Sequence, residues 1–120
     1  MKYIVNALSL NMVKLPPIGV RKFYHFEIKQ ITVEEFCNEA REAINALGHV
    51  STVELINKLC NTSFQINRIE IKLEHEDELL LIQVATRLPE GKVLDIGELE
   101  QLLRDGKIKF YRVTYYDYFY

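Results

Sequence analysis

The sequence predicts an α+β domain in which α-helices flank a mixed β-sheet. Segments in which apolar and polar side chains alternate predict strands, whereas segments with an apolar period near 3.6 residues predict helices. Both kinds of segment are interspersed along 120 residues in the order β-β-α-α-β-β-α-β, with no repeat and no low-complexity linker. A chain of this length can bury one hydrophobic core, so residues 1–120 are expected to form a single domain.

Two strands are predicted near the N-terminus. Residues 2–9 form an apolar opening strand. The following "MVKLPPIG" is a loop, because Pro16 and Pro17 lack amide donors and favour extended geometry. The second strand, "RKFYHFEIK", alternates between a polar face and a face that carries Tyr24, Phe26 and Ile28.

Two helices follow, and each is predicted from a capping-box pattern. Thr32 and Glu35 open "TVEEFCNEAREAINAL", and Gly48 suits the left-handed position just past its end. Ser51 and Glu54 open the second helix, "STVELINKLC". The short junction between the two helices therefore contains a glycine, a histidine and a serine.

The second half of the chain predicts two strands, a helix and a closing strand. "SFQINRIEIKL" alternates and is joined through the charged turn "EHEDE" to "LLLIQVATRL", which indicates a hairpin. Asp95 and Glu98 form a third capping box, and Gly106 is expected to end that helix. "IKFYRVTYY" is the closing strand. The tyrosine-rich residues 112–120 are interpreted as an edge strand, a subunit contact or a partly disordered end.

The composition favours a cytoplasmic protein that does not span a membrane. No apolar run approaches the ~20 residues of a membrane-spanning helix. "MKYIVNALSL" is too short and too soon polar to be a convincing secretory signal. Cys37 and Cys60 lie in predicted helices with no partner at metal-ligand spacing. They are therefore expected to be reduced, buried side chains.

The charge limits the nucleic acids that the chain is expected to bind. The formal net charge of −2 argues against a general duplex-DNA binder, which relies on a basic surface, but it is compatible with a small phosphodiester in a local pocket. The sequence has no phosphate-binding glycine loop and no pair of histidines or carboxylates at metal-ligand spacing. Neither a metal nor another cofactor is expected.

His49 is a candidate general acid because it lies just before a predicted helix N-terminus. If Ser51 is the N-cap, the amides that follow it carry partial positive charge and favour an anion such as phosphate. An imidazole beside that anion titrates near neutral pH and would donate a proton, as RNA-type transesterification requires. The other interpretation is a loop histidine that hydrogen-bonds a nearby carbonyl.

Other polar side chains interrupt apolar strands and have two interpretations each. Gln83 and Arg87 lie four residues apart on "LLLIQVATRL", and a guanidinium is suited to phosphate. Arg87 would otherwise pair with Glu90, and Arg68 would otherwise be solvated or salt-bridged. Asn6 and Ser9, at the end of the first strand, either contact a ligand or form turn hydrogen bonds.

Five short motifs occur in the order and approximate spacing of the viral ring nuclease family: "NALSLNM", "GHVST", "LINKLC", "NRIEIK" and "QVATRLPEGK". The resemblance extends from the first strand to about Phe110. Each motif is short, but the ordered set of five is specific. The family contains small anti-CRISPR proteins of archaeal viruses, bacteriophages and related elements, with relatives in bacterial genomes.

The resemblance implies a fold and an activity. Family members are homodimers with a mixed sheet flanked by helices. They bind cyclic tetra-adenylate, the second messenger of type III CRISPR defence, across the two-fold axis. They cleave it without metal to linear di-adenylate with a 2′,3′-cyclic phosphate, which removes the signal for the effector nucleases. For a viral gene the implied location is the host cytoplasm.

The resemblance also implies roles for individual residues. The catalytic histidine of the family corresponds to His49 and its glutamate to Glu90. The other matched positions are implied to bind the substrate: Asn6, Ser9, Ser51, Arg68, Gln83 and Arg87. The chain departs from the family at Val50, where an acidic residue is common, and at Pro89, where a glutamate is common. These departures bear on the rate more than on the chemistry.

Two other functions are compatible with the residues themselves. One is a non-catalytic module that binds nucleic acid through the tyrosine-rich tail and the lysines. The other is a regulatory protein that sequesters a cyclic oligonucleotide without cutting it. An assay of the reaction products separates both from a nuclease.

Overall fold

The computed structural model describes residues 1–87 and 94–117 of the chain. In these residues the polypeptide forms five strands: β1 (Lys2–Val5), β2 (Tyr24–Ile31), β3 (Ile44–Asn45), β4 (Glu78–Val84) and β5 (Ile108–Asp117). It also forms three α-helices: α1 (Val33–Ala40), α2 (Val50–Cys60) and α3 (Ile96–Arg104). None of these helices is long and apolar enough to span a membrane.

The strands form one mixed sheet in the order β2-β5-β4-β1-β3. Strand β1 is parallel to both β3 and β4, whereas β5 is antiparallel to both β2 and β4. The predicted α+β class with a mixed sheet is therefore confirmed. The observed element order along the chain is β-β-α-β-α-β-α-β, which differs from the prediction in the middle of the chain.

The three helices cover one face of the sheet. Buried side chains from all three helices form the larger core cluster with apolar side chains of the sheet, among them Ile4, Leu80, Ile82 and Phe110. A second cluster lies on the opposite face, where alternate strand residues point. It joins strand side chains to three residues of irregular segments: Val5, Leu79, Val113, Tyr115, Val13, Ile71 and Leu73.

Two of the three predicted capping boxes are confirmed. The Thr32 hydroxyl accepts a hydrogen bond from the Glu35 amide, and the Glu35 carboxylate accepts one from the Thr32 amide, so α1 begins as predicted. Asp95 and Glu98 make the same reciprocal pair at the start of α3. Gly106, with a φ of +69°, follows α3 as expected.

Helix α1 is shorter than the predicted helix over residues 32–47, because it ends at Ala40. Ile44 and Asn45 instead pair with β1 as a short parallel strand. The apolar period continues past Ala40, but hydrogen bonding to an existing strand overrides the weak helical preference of so short a segment. The prediction that Gly48 is a left-handed helix terminus is wrong, since its φ is not positive.

The predicted strand "SFQINRIEIKL" is not formed, and we call its irregular residues 65–73 the strap. The strap lies against loops: the Asn67 amide donates to the Leu47 carbonyl (2.9 Å), and the Leu73 amide donates to the Met12 carbonyl (2.7 Å). Its apolar alternation arises because Ile71 and Leu73 are buried in the second core cluster. The predicted hairpin is also wrong, since β4 pairs with β1 and β5.

The C-terminal strand is confirmed, but it is not an edge strand. β5 lies between β2 and β4 in the sheet. Tyr115 is 1% exposed, and its ring contacts those of Tyr24 and Phe26. Burial is the largest cause that raises the pKa of the Tyr115 hydroxyl, and Asp117 adds to it. Tyr115 therefore belongs to the core, whereas Tyr111 and Tyr116 are half-buried, and residues 118–120 lie outside the described residues.

Cys37 and Cys60 form a disulfide, so the prediction of reduced cysteines is wrong. The bond joins α1 to the last residue of α2, with the Cα atoms 5.0 Å apart, within the usual range for disulfides. Both side chains are buried, as predicted. A separation of 23 residues between two helices does not reveal this pairing, because it depends on how the helices pack.

An ionic cluster ties α1 to the sheet. Arg112 of β5 contacts both carboxylate oxygens of Glu39, with Nη2 2.6 Å from Oε2, and Lys2 of β1 lies 3.3 Å from Oε1. Burial alone would raise the pKa of Glu39, but the hydrogen bonds from Arg112 and Lys2 lower it below its ordinary value. Glu39 is therefore ionised at neutral pH and fixes α1 against β1 and β5.

Candidate functional site

The candidate site lies where three parallel strands end. Because β4, β1 and β3 are parallel neighbours, their carboxyl ends meet at one edge of the sheet. Asn6 follows β1 directly, Gln83 is the penultimate residue of β4, and β3 leads through residues 46–48 to His49. The side chains of Asn6, Gln83 and His49 are all exposed. Ligands commonly bind outside the carboxyl ends of parallel strands.

His49 is the N-cap residue of α2, with extended backbone angles (φ −118°, ψ 127°). Its carbonyl accepts a hydrogen bond from the Val53 amide (3.1 Å), but its side chain makes no capping hydrogen bond. The imidazole is exposed beside the positive end of the helix. It does not hydrogen-bond to the first-turn amides of α2.

The capping box predicted for Ser51 and Glu54 is wrong. Helix α2 begins at Val50, so Ser51 is already its second helical residue. The N-cap of α2, which the sequence predicts to be Ser51, is His49. Ser51 is exposed in the first turn, and its backbone amide is one of the donors that point outward there.

Arg68 lies against the loop that leads to His49. Its Nε donates a hydrogen bond to the Gly48 carbonyl at 3.0 Å. A Cβ added to Gly48 would come within 2.9 Å of the Arg68 Cγ, so only glycine leaves room for this contact. The structure therefore places Arg68, from the motif "NRIEIK", against the loop that carries His49 and Ser51 of "GHVST".

The two candidates after β1 differ in what they contact. The Ser9 hydroxyl accepts a hydrogen bond from the Asn11 amide (3.2 Å) and caps the short 3₁₀ turn Leu10–Met12. This is the turn interpretation of Ser9, although its hydroxyl proton remains a donor for a ligand. Asn6 lies exposed at the bend after β1.

The candidates near the end of β4 are only partly placed as expected. The Gln83 amide oxygen accepts a weak hydrogen bond from the Tyr111 hydroxyl (3.4 Å). Since β4 ends at Val84, Arg87 lies beyond the strand, and the prediction that it shares a strand face with Gln83 is wrong. Arg87 is exposed. Glu90 lies outside the described residues.

Two asparagines that no sequence pattern marks contact the same loop. Asn45 ends β3, and Asn67 precedes Arg68 in the strap; their side chains hydrogen-bond to each other's segments. In the sequence, only the position of Asn67 next to Arg68 in "NRIEIK" indicates that it lies near the site. Within the described residues, no three His, Cys, Asp or Glu side chains group as metal ligands.

Replacing Gly48 with alanine is expected to displace Arg68 and to weaken ligand binding about tenfold, while the fold persists. The added methyl group would overlap the Arg68 Cγ, whereas the φ of Gly48 does not require glycine. Titration calorimetry with cyclic tetra-adenylate, the ligand that the family resemblance implies, measures this change in affinity. In an Arg68→Ala background the Gly48→Ala change should add nothing, because the group it displaces is already absent. Additive losses would contradict the coupling.

The fold and the site define a class of protein: an α+β domain with three helices on one face of a mixed sheet and a polar site at the ends of its parallel strands. The chain belongs to the STIV B116-like family, whose sequence model matches residues 2–112.

Proteins of archaeal viruses are similar to this chain. B116 of Sulfolobus turreted icosahedral virus is 40% identical, with a TM-score of 0.82 over 93% of this chain and 97% of that one. Protein 26 of a Sulfolobus islandicus filamentous virus is 36% identical over 105 residues, which are 85% of this chain and 84% of the relative.

A third relative matches over a shorter stretch. Protein ORF116 of Acidianus filamentous virus 1 is 47% identical over 70 residues, which are 58% of this chain and 60% of that protein. The predicted similarity to proteins of archaeal viruses is confirmed, and the family shown is the STIV B116-like family.

Proposed function

We propose that this protein is a metal-independent ring nuclease that binds cyclic tetra-adenylate and cleaves it to linear di-adenylate with a 2′,3′-cyclic phosphate. The observation that carries the proposal is the meeting of His49, Arg68 and the N-terminus of α2 at one place. An exposed imidazole, a guanidinium and a positive helix end are the groups that metal-free cleavage of a phosphodiester requires.

In the proposed reaction the ligand supplies its own nucleophile. A ribose 2′-oxygen attacks the adjacent phosphorus, and the bond from phosphorus to the 5′-oxygen breaks as the 2′-oxygen bond forms. The imidazolium of His49 protonates the departing 5′-oxygen, while the proton of the 2′-hydroxyl passes to water. Arg68 and the first-turn amides of α2, including that of Ser51, stabilise the developing charge on the phosphate oxygens.

The remaining candidates have supporting roles in this proposal. Asn6, Ser9 and Gln83 would contact ribose or adenine, because they lie on or next to the strands that end at this edge. Arg87 would hold a second phosphate. Glu90 would orient His49 or exclude water once a ligand is bound.

A homodimer is part of the proposal, because a two-fold axis suits a ring of four equal units. Each subunit would then cut one of two opposite linkages. One ring can reach both sites only if this axis passes near the carboxyl ends of β4, β1 and β3, where His49 lies.

Incubation with cyclic oligoadenylates of several ring sizes, followed by chromatography and mass spectrometry of the products, tests the proposal. We expect the tetramer to give di-adenylate with a cyclic phosphate, both with and without a chelator. Titration should show one ring for two chains. An intact, tightly bound ring would indicate sequestration, and a strict need for added metal would overturn the mechanism. Duplex binding that weakens steeply with salt, without cleavage, would support the nucleic-acid-binding alternative.

A further inference from the structure

The loop between β3 and α2 is held by side-chain amides. The Asn45 Oδ1 accepts a hydrogen bond from the Leu47 amide at 3.0 Å, and the Asn45 Nδ2 donates one to the Gln65 carbonyl of the strap. Strand β3 has only two residues, so its backbone pairing alone gives this loop little support. The Asn45 side chain therefore fixes the first residues of the loop and also joins the loop to the strap.

Asn67 makes the reciprocal connection from the strap. Its Nδ2 donates to the Asn45 carbonyl at 2.8 Å, and its backbone amide donates to the Leu47 carbonyl at 2.9 Å. One residue further along each segment, Arg68 Nε donates to the Gly48 carbonyl. Four successive contacts thus tie residues 45–48 to the strap immediately before His49.

We infer that Asn45 and Asn67 are positioning residues that hold His49 and Arg68 in fixed relation to each other. This inference rests on the proposed function, in which those two side chains act on one phosphate. The loop residues 46–48 fix the backbone from which His49 projects, and the strap carries Arg68. Both asparagines must donate through Nδ2, and Asn45 must also accept through Oδ1, which only an amide does at these positions. Small misplacements of catalytic groups cost large factors in rate.

The matched control is Asn57 of α2, which makes the same kind of contacts with Phe64, the residue just before the strap. Its Nδ2 donates to the Phe64 carbonyl (2.8 Å), and its Oδ1 accepts from the Phe64 amide (2.8 Å). Asn57 lies about two turns of α2 beyond His49. An Asn57→Asp change removes one amide donor to a carbonyl, as the changes at Asn45 and Asn67 do, but its contacts are with Thr62 and Phe64 rather than with residues 45–48.

The test compares Asn45→Asp, Asn67→Asp and Asn57→Asp in the full chain with cyclic tetra-adenylate as the probe. Aspartate keeps the shape of the side chain and an acceptor oxygen, removes the donor and adds a negative charge, which Asn57→Asp adds as well. We expect kcat to fall about 10- to 100-fold in the first two variants, with KM within about threefold, and to stay near the wild-type value in Asn57→Asp. Unchanged kcat in both Asn45→Asp and Asn67→Asp, or an equal loss in Asn57→Asp, would overturn the inference. Should Asn45→Asp fail to fold, Asn67→Asp decides.

Hydrogen exchange separates this inference from the proposed function. Backbone amides of residues 46–52 should exchange faster in Asn45→Asp and Asn67→Asp than in the wild type, and they should be unaffected in Asn57→Asp. If the wild type cleaves no ring, the proposed function fails, and exchange still shows whether the two amides order the loop. If exchange in this segment is unchanged in both loop variants, the inference fails even where the wild type is active.

Discussion

Replacing His49 with alanine is expected to reduce ring cleavage by about 10²- to 10⁴-fold, while cyclic tetra-adenylate still binds. The imidazole is proposed to protonate the departing 5′-oxygen, and alanine has no proton to donate. Binding should persist because it depends on Arg68 and on the α2 amides. The fold should also persist, since the His49 side chain is exposed and caps no amide of α2. Single-turnover cleavage and titration calorimetry on the same preparation measure the two effects separately.

His25→Ala is the matched control for this prediction. His25 is an exposed histidine of β2, whose ring contacts Tyr116 and which takes no part in the proposed reaction. Its replacement should leave the cleavage rate within about twofold of the wild type, on the usual scale of surface substitutions. Wild-type cleavage by His49→Ala would contradict the assignment of the general acid. Loss of ring binding along with cleavage would instead indicate that His49 orders the site.

Local signals in the sequence predict most of this fold, and the errors occur where tertiary contacts decide. The capping boxes at Thr32 and Asp95 are formed, because a cap needs only its neighbours along the chain. The sequence pattern extends α1 beyond its observed end because β1, distant in sequence, pairs with Ile44. The strap has the sequence pattern of a strand because its alternating apolar residues, such as Ile71, pack under the sheet without joining it.

The site was predicted in outline, although partly for a reason that the structure corrects. His49 does lie at the start of a helix, but it occupies the cap position itself, with Ser51 inside the first turn. The sequence assigned Gly48 to a left-handed turn, whereas its role is to let Arg68 approach. A contact between segments 20 residues apart has no local signature. The role of Glu90 stays a prediction.

Removing the disulfide is expected to lower the free energy of unfolding by about 3 kcal/mol. The bond closes a loop of 23 residues between Cys37 and Cys60, and cross-linking a loop of that size restricts the unfolded chain by about this amount. For a domain of this size the thermal midpoint should fall by roughly 10–20 °C. Denaturant unfolding of the wild type with and without a reductant, and of the Cys37→Ala/Cys60→Ala variant, measures the difference.

The controls follow from the chemistry of the bond. Each single variant should lose stability much as the double variant does, because either change breaks the same bond, and the double variant should not respond to the reductant. Cys60 is the last residue of α2, whereas His49 directly precedes its first turn. Well below the unfolding midpoint, cleavage by the double variant should therefore match that of the wild type. If the reductant does not change the unfolding midpoint of the wild type, the stabilising role of the bond is contradicted. A folded double variant that no longer cleaves would show that the tie between α1 and α2 also sets the geometry at the opposite end of α2.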